Sequence, residues 1–167
     1  LGIARLAEGD SRAMADLLRD WRAFPRGTRI EVVPHGVDQE DFAFRPRPWP
    51  PPGRRIRLLM VSHAAPHKDQ ALVVELTARL RRLGWDASSA LTIAAPDAPA
   101  YVEHLRRRVH ELGLGSSVRF LGRSADVATL LADADVFVFA SRCESFGFPV
   151  VEAMAVGVPV VAADIPA

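Results

Sequence analysis

The chain has 167 residues, 49% of them hydrophobic and 25% charged, a globular composition long enough for one core of moderate size. A formal net charge of +1 gives no electrostatic argument for nucleic acid or an acidic membrane surface, and no apolar run approaches the length of a membrane span. A single cysteine, Cys143, excludes an internal disulfide framework and fits a reducing compartment.

A first helix is predicted from about Ser11 to Phe24, with Asp10 or Ser11 as its cap and Met14, Leu17, Leu18 and Trp21 as an apolar stripe at helical spacing. Ile30 to Val33 reads as a short strand, ended by Pro34-His35-Gly36-Val37-Asp38. The run Arg45-Pro46-Arg47-Pro48-Trp49-Pro50-Pro51-Pro52-Gly53 is too rich in proline for a helix or a central strand and reads as a semi-rigid linker at a domain boundary.

From Arg54 onward strands and helices alternate. Ile56 to Ser62 is a predicted strand, and Asp69 to Leu83 a helix stopped by Gly84. Ala90 to Ala95 is a strand, and Pro99 to Leu112 a helix stopped by Gly113. Val118 to Leu121 is a strand, and Asp126 to Ala132 a short helix. Val136 to Ala140 reads as a buried strand, Pro149 suits a first helical position, Gly157 closes that helix, and Val158 to Ala162 is a last strand. Regular alternation with near-continuous apolar strands predicts an α/β fold: a doubly wound, Rossmann-like parallel sheet of about five strands.

The segment Glu144-Ser145-Phe146-Gly147-Phe148-Pro149-Val150-Val151-Glu152 places two carboxylates eight positions apart across a loop and a helix start. That loop follows a parallel strand, at the edge where open α/β sheets bind ligands, and the free N–H groups of the helix start favour an anion such as phosphate. A second loop, Ser62-His63-Ala64-Ala65-Pro66-His67-Lys68-Asp69, carries the only lysine among 21 basic residues. Lysine is a compact point charge on a flexible stem, so its single use invites a specific role.

Other signals are weaker. Asp133-Ala134-Asp135 has the look of a metal motif but lies at the amino end of a strand, which suits a helix-end and strand-entry role. His63 and His67 are four apart, yet Pro66 argues against a helix there, and no Cys or carboxylate completes a metal site. Arg106-Arg107-Arg108 reads as a solvated helix face, His104 and His110 as surface or boundary residues, and Cys143 as incidental.

Taken in order, Val33-Pro34-His35-Gly36-Val37-Asp38, the His-Lys loop, Val118-Arg119-Phe120-Leu121-Gly122, and Glu144 to Glu152 continuing through Ala153-Met154-Ala155 to Gly157 and Pro159-Val160-Val161 resemble the donor-binding half of a retaining GT-B glycosyltransferase of the family 4 type. The resemblance spans essentially the whole chain. It implies the second half of a GT-B architecture: residues 1–37 as the last helix and strand of an acceptor domain, 38–54 as the linker, and 55–167 as a truncated nucleotide-sugar domain.

It also implies roles. Glu152 would hold the ribose hydroxyls, since a carboxylate accepts two hydrogen bonds from a vicinal diol, and a place in the first helical turn would aim it back toward the loop. Glu144 would bind the transferred sugar and support positive charge at its anomeric carbon. Lys68 would neutralise the leaving diphosphate, as a metal-free transferase requires of its side chains. His63 and the backbone of Phe146, Gly147 and Phe148 would join it there, with glycine allowing close approach. Phe146 and Phe148 as side chains are expected to pack. Gly and Arg are usual where Ser62 and His63 stand, so a permanent charge is lost there.

The implied reaction moves a sugar from a nucleoside diphosphate sugar to a hydroxyl of a carbohydrate or lipid-linked acceptor. Anomeric configuration is retained and no cofactor or metal is needed. The expected location is cytoplasmic, at the inner face of the plasma membrane, with peripheral membrane association through a domain not in this chain. No nucleic acid partner and no transmembrane segment are expected. A start at Leu1 without an initiator Met and an end at Ala167 just past a strand suggest a cut segment, so the lack of a signal peptide is uninformative. The alternatives are a non-catalytic nucleotide-sugar-binding module with a degenerate basic loop, or another GT-B enzyme such as a sugar-nucleotide epimerase. A dehydrogenase is disfavoured because no Gly-rich phosphate fingerprint follows Ile56 to Ser62, and the Walker pattern is absent.

Overall fold

β3 (Ile56–His63) lies at the centre of a five-stranded sheet and is buried on both faces, which is why its sequence is a nearly unbroken apolar run. The computed structural model describes residues 6–9, 12–21, 24–25, 28–33, 35–46, 48, 53–94, 98–122 and 126–165. Ahead of β3 come β1 (Leu6–Gly9), α1 (Arg12–Asp20) and β2 (Arg29–Val32). After it come a single 3-10 turn (Pro66–Lys68), α2 (Gln70–Arg82), β4 (Ala87–Ala94), α3 (Pro99–Glu111), β5 (Val118–Gly122), α4 (Val127–Asp133), β6 (Val136–Phe139), α5 (Phe148–Val156) and β7 (Val160–Ala162).

The large sheet is parallel throughout, in the order β5-β4-β3-β6-β7, while β1 and β2 form a separate parallel pair. The chain therefore winds outward from β3 through β4 to β5, then crosses back to β6 and β7. This is the doubly wound, Rossmann-like sheet expected from the alternation. The winding reverses between β3 and β6, and the carboxyl ends of strands at such a switch point are where open α/β sheets bind ligands.

Alternation along the central strands sorts the core into two layers. Leu58 and Met60 of β3 and Val138 of β6 face Val73 and Val74 of α2 and Leu105 and Val109 of α3. Leu59 of β3 and Phe137 and Phe139 of β6 face the other way, onto Leu131 of α4 and Ala153 and Val156 of α5. Phe137, Leu59, Leu91, Leu105 and Leu131 are fully buried. Each such side chain contributes roughly 1.5–3 kcal/mol relative to exposure.

Five differences from the sequence-based expectation have local causes. β1 was not anticipated; it forms by pairing with β2, with Leu6 opposite Arg29. β4 starts at Ala87 rather than Ala90, because β3 needs backbone partners from Ile56 onward and the polar Ser88 and Ser89 supply them. α1 stops at Asp20; Trp21, predicted on its buried stripe, is 72% exposed, whereas Met14, Leu17 and Leu18 are half-buried. Pro66 opens a 3-10 turn where no helix was expected, since a first helical position needs no N–H. α5 begins at Phe148, one residue before Pro149, so Glu152 lies in its second turn rather than its first. The proposed caps Asp10 and Ser11, Pro34 of the linker motif, and Trp49 to Pro52 lie outside the described residues.

The amino edge of the sheet is stapled by Asp135. Its carboxylate accepts from Arg57 Nε (3.1 Å) and Nη2 (3.0 Å), from the Arg57 backbone N–H (2.9 Å) and from Arg54 Nη2 (3.0 Å). Burial pushes this carboxyl upward, but the Arg57 hydrogen bonds and the Arg57 and Arg54 charges outweigh it and hold Asp135 below the usual range. Asp133 is exposed at the end of α4, so the Asp-x-Asp pattern sits at the sheet edge opposite the β3–β6 crevice. Residues 38–46 pass the carboxyl end of α5: Phe42 packs into the second core layer, Arg45 N–H donates to Val156 O (3.1 Å), and the Phe44 ring lies beside Gly157.

Candidate functional site

The two loops singled out in the sequence meet in the crevice between β3 and β6. Lys68, on the turn after β3, places Nζ 2.5 Å from Oε1 of Glu144, on the loop after β6. The side chains are 10% and 19% exposed. A lysine withdrawn that far from water needs a partner, and the opposed carboxylate provides one. Ser141 Oγ, fully buried, donates to the same Glu144 oxygen (3.0 Å) and fixes its orientation.

The floor of the crevice is held by Gln70, fully buried at the start of α2. Its Nε2 donates to Ser62 Oγ (2.9 Å) and to His63 O (2.7 Å), which ties the end of β3 to the helix. His63 is exposed at that strand end, and its ring lies 5.5 Å from that of His67. Among the described residues no group of three or more His, Cys, Asp or Glu is placed to hold a metal ion.

Gly147 enters α5 with φ +83, a left-handed conformation that favours glycine, and is buried against Phe139. No side chain caps this helix; Pro149 has no N–H and the Val150 N–H donates to Gly147 O (2.9 Å), which leaves the Phe148 N–H without a backbone acceptor among the described residues. On either side Phe146 and Phe148 stack edge-on at 5.1 Å, and His35 lies against both, at 5.3 and 4.8 Å. The two phenylalanines pack, as expected, but partly against a residue from ahead of the linker.

Glu152 lies one turn further into α5. Among the described residues no hydrogen-bond or ion-pair partner meets its carboxylate, and burial pushes its pKa above the ordinary glutamate range. A half-buried, unpaired carboxylate is costly unless something else supplies donors. The β3–β6 edge thus holds an ion-paired lysine and the Phe148 amide, and α5 carries a half-buried carboxylate with no partner among the described residues. A lysine and a free amide suit an anionic group, and a carboxylate accepts hydrogen bonds from hydroxyls.

His63 ends β3, and Lys68, Glu144, Phe146, Gly147, Phe148 and Glu152 belong to the loops or helix that follow β3 and β6. Four further residues were not assigned roles from sequence. Ser141 is three positions and Arg142 two before Glu144, Asp69 is one and Gln70 two after Lys68, and only three-dimensional proximity reveals what they do. The other cationic cluster is accounted for elsewhere: Arg108 pairs with Glu75 (2.5 Å) and Glu111 (3.1 Å), and Arg106 lies over the Phe120 ring (4.7 Å). Arg107, His104 and His110 are exposed. An open groove of about 470 Å³ beside Arg106 and Phe120 lies at the β5 edge and offers no carboxylate.

The family model described as "Glycosyl transferases group 1" matches residues 41–167. Among curated proteins, the MMP alpha-(1->4)-mannosyltransferase of Mycolicibacterium hassiacum is 33% identical over 96% of this chain and 37% of its own length. The phosphatidyl-myo-inositol mannosyltransferase of Mycobacterium tuberculosis is 31% identical over 93% of this chain and 40% of its own length. Among solved structures, Anabaena HepE in complex with UDP and glucose superposes with a TM-score of 0.81 at 26% identity, covering 96% of this chain and 45% of that one. The chain thus spans about two-fifths of the length of these relatives. No helix among the described residues is long and apolar enough to cross a membrane.

Proposed function

Because this chain belongs to the group 1 glycosyl transferases, we propose that it is the donor-binding part of an enzyme that moves a hexosyl group from a nucleoside diphosphate sugar to a hydroxyl acceptor. The observation that carries this reading is the Lys68–Glu144 pair at the carboxyl ends of β3 and β6, together with Glu152, one turn into α5 and without a partner among the described residues. In the reading, Lys68, the amides of Phe146, Gly147 and Phe148, and His63 hold the diphosphate. Glu144 holds the sugar, and Glu152 accepts the ribose hydroxyls. The reaction proceeds with retention and without a metal: the acceptor oxygen bonds to the anomeric carbon from the face of the departing phosphate. The carbon–oxygen bond to diphosphate breaks, and the hydroxyl proton passes to a diphosphate oxygen. Lys68 stabilises the charge that accumulates on that group.

The relatives' printed names, a mannosyltransferase acting on phosphatidyl-myo-inositol and a UDP-bound protein among them, support a hexosyl donor and a polyol or lipid-linked acceptor. Residues 1–37 belong in this reading to the acceptor domain and 38–54 to the linker. The chain alone is therefore expected to bind nucleotide weakly and not to turn over. The test is calorimetric titration of UDP, GDP and ADP into the wild type, Lys68→Ala and Glu152→Ala. Binding that both substitutions weaken supports the donor site. Binding indifferent to both removes it, and efficient sugar transfer by this chain alone would contradict the division of labour.

A further inference from the structure

A second ion pair joins the same two loops. Arg142 Nε and Nη2 both donate to Asp69 Oδ2, at 3.1 and 2.8 Å, and the Arg142 backbone N–H donates to His67 O at 2.8 Å. Asp69 directly follows Lys68, and Arg142 stands two positions before Glu144. The β3 and β6 loops are therefore cross-linked at neighbouring points: Lys68 to Glu144, Asp69 to Arg142, and His67 to Arg142 through the main chain.

Two features argue that this contact serves placement rather than stability. Asp69 is the only described non-glycine residue with positive φ (+55), a left-handed turn that glycine or asparagine would adopt with less or equal strain and no charge. A carboxylate is nevertheless present there, 19% exposed and met by Arg142. Arg142 itself is 71% exposed, and a pair so open to solvent adds little to folding. Its effect is geometric. It limits how far the two loops can slide past one another, and that sliding distance is what separates Lys68 Nζ from Glu144 Oε1.

We propose that the Asp69–Arg142 pair is a positioning clamp for the donor site, holding the β3 and β6 loops in the register at which Lys68 and Glu144 face one donor. This rests on the roles given to Lys68 and Glu144 above. Neither clamp residue touches the donor; both act through the placement of their neighbours.

The test is titration of UDP, GDP and ADP into the wild type, Asp69→Asn, Arg142→Gln, Arg142→Lys, Lys68→Ala and the double variant Lys68→Ala/Arg142→Gln, with thermal melting of each. Asparagine keeps the left-handed turn and removes the charge. Asp69→Asn and Arg142→Gln are each expected to weaken nucleotide binding about fivefold, with melting midpoints within about 2 °C of wild type. Arg142→Lys should recover part of the loss, and Arg142→Gln should cost nothing further once Lys68 is gone. Wild-type affinity in both single charge-removing variants overturns the clamp alone. So does a fall in melting midpoint with affinity unchanged, which makes the pair purely structural. A wild type that binds none of the three nucleotides, or binds them as well without Lys68, overturns the donor-site reading and the clamp with it.

Discussion

Lys68 Nζ and Glu144 Oε1 stand 2.5 Å apart, joining loops that are 76 residues apart in the sequence, with both side chains largely withdrawn from solvent. Removing one member strands the other in a poorly solvated site. Lys68→Met is therefore expected to lower unfolding free energy by about 2 kcal/mol. Glu144→Gln is expected to cost about 1 kcal/mol, because the amide oxygen still accepts from Lys68 and Ser141. Urea denaturation of the two variants separates these values, and equal losses would count against the pairing as described.

Glu152 gives a pH signature. Burial raises its folded pKa above the unfolded value of about 4.3, so the folded state binds the proton more tightly. Its contribution to stability is fully present below the unfolded pKa and is lost as pH rises through the folded pKa. Glu152→Gln should remove that decline and leave the variant more stable than the wild type at neutral pH. Under the proposed ribose role of Glu152, nucleotide binding should move oppositely, weakening as pH falls and the carboxylate is protonated. Denaturation and titration at pH 4, 5, 6 and 7, about evenly spaced across that window, read both slopes.

Asp135 has the opposite sign. Although burial acts to raise it, the Arg57 hydrogen bonds and the neighbouring charges leave its folded pKa depressed. The stability it contributes is present above the unfolded pKa of about 3.9 and is lost as pH falls through the folded value. Asp135→Asn should cost roughly 1–2 kcal/mol at neutral pH and flatten the acid limb of the stability curve. Since Asp135 sits at the far sheet edge, nucleotide affinity should not change. A loss of affinity would show coupling across the sheet that the geometry does not provide.

Gly157 closes α5 with φ +84, and an added Cβ would lie 2.6 Å from the Phe44 ring. Gly157→Ala is expected to destabilise by about 1–2 kcal/mol through backbone strain and this contact. Phe44 is 69% exposed and its ring can give way, so Phe44→Ala in the same background should recover only the steric share. Complete recovery in thermal melts would mean that the left-handed backbone costs nothing for alanine here.

Much of the fold is legible from local patterns. The apolar runs at Ile56 and Val136 mark strands buried on both faces, and the glycines at 84, 113 and 157, all with positive φ, stop helices where expected. Legibility fails where a non-local partner overrides local composition. Ser88 and Ser89 do not read as strand, yet they extend β4 because the backbone of β3 needs pairing there. Trp21 fits a helical stripe, yet α1 ends before it.

Composition, periodicity and turn chemistry alone determine an alternating α/β chain, two candidate loops, and a lysine and two glutamates worth attention, because those properties are carried by residues close together in sequence. Tertiary structure alone decides that β3 and β6 are neighbours. That adjacency makes Lys68 and Glu144 one ion pair and sets Arg142 on Asp69; tertiary packing also brings His35 onto Phe146 and Phe148 and leaves Glu152 half-buried with no partner among the described residues. The physical reason is that charge pairing and desolvation depend on distance in space, and here the strand order brings together residues that the sequence keeps far apart.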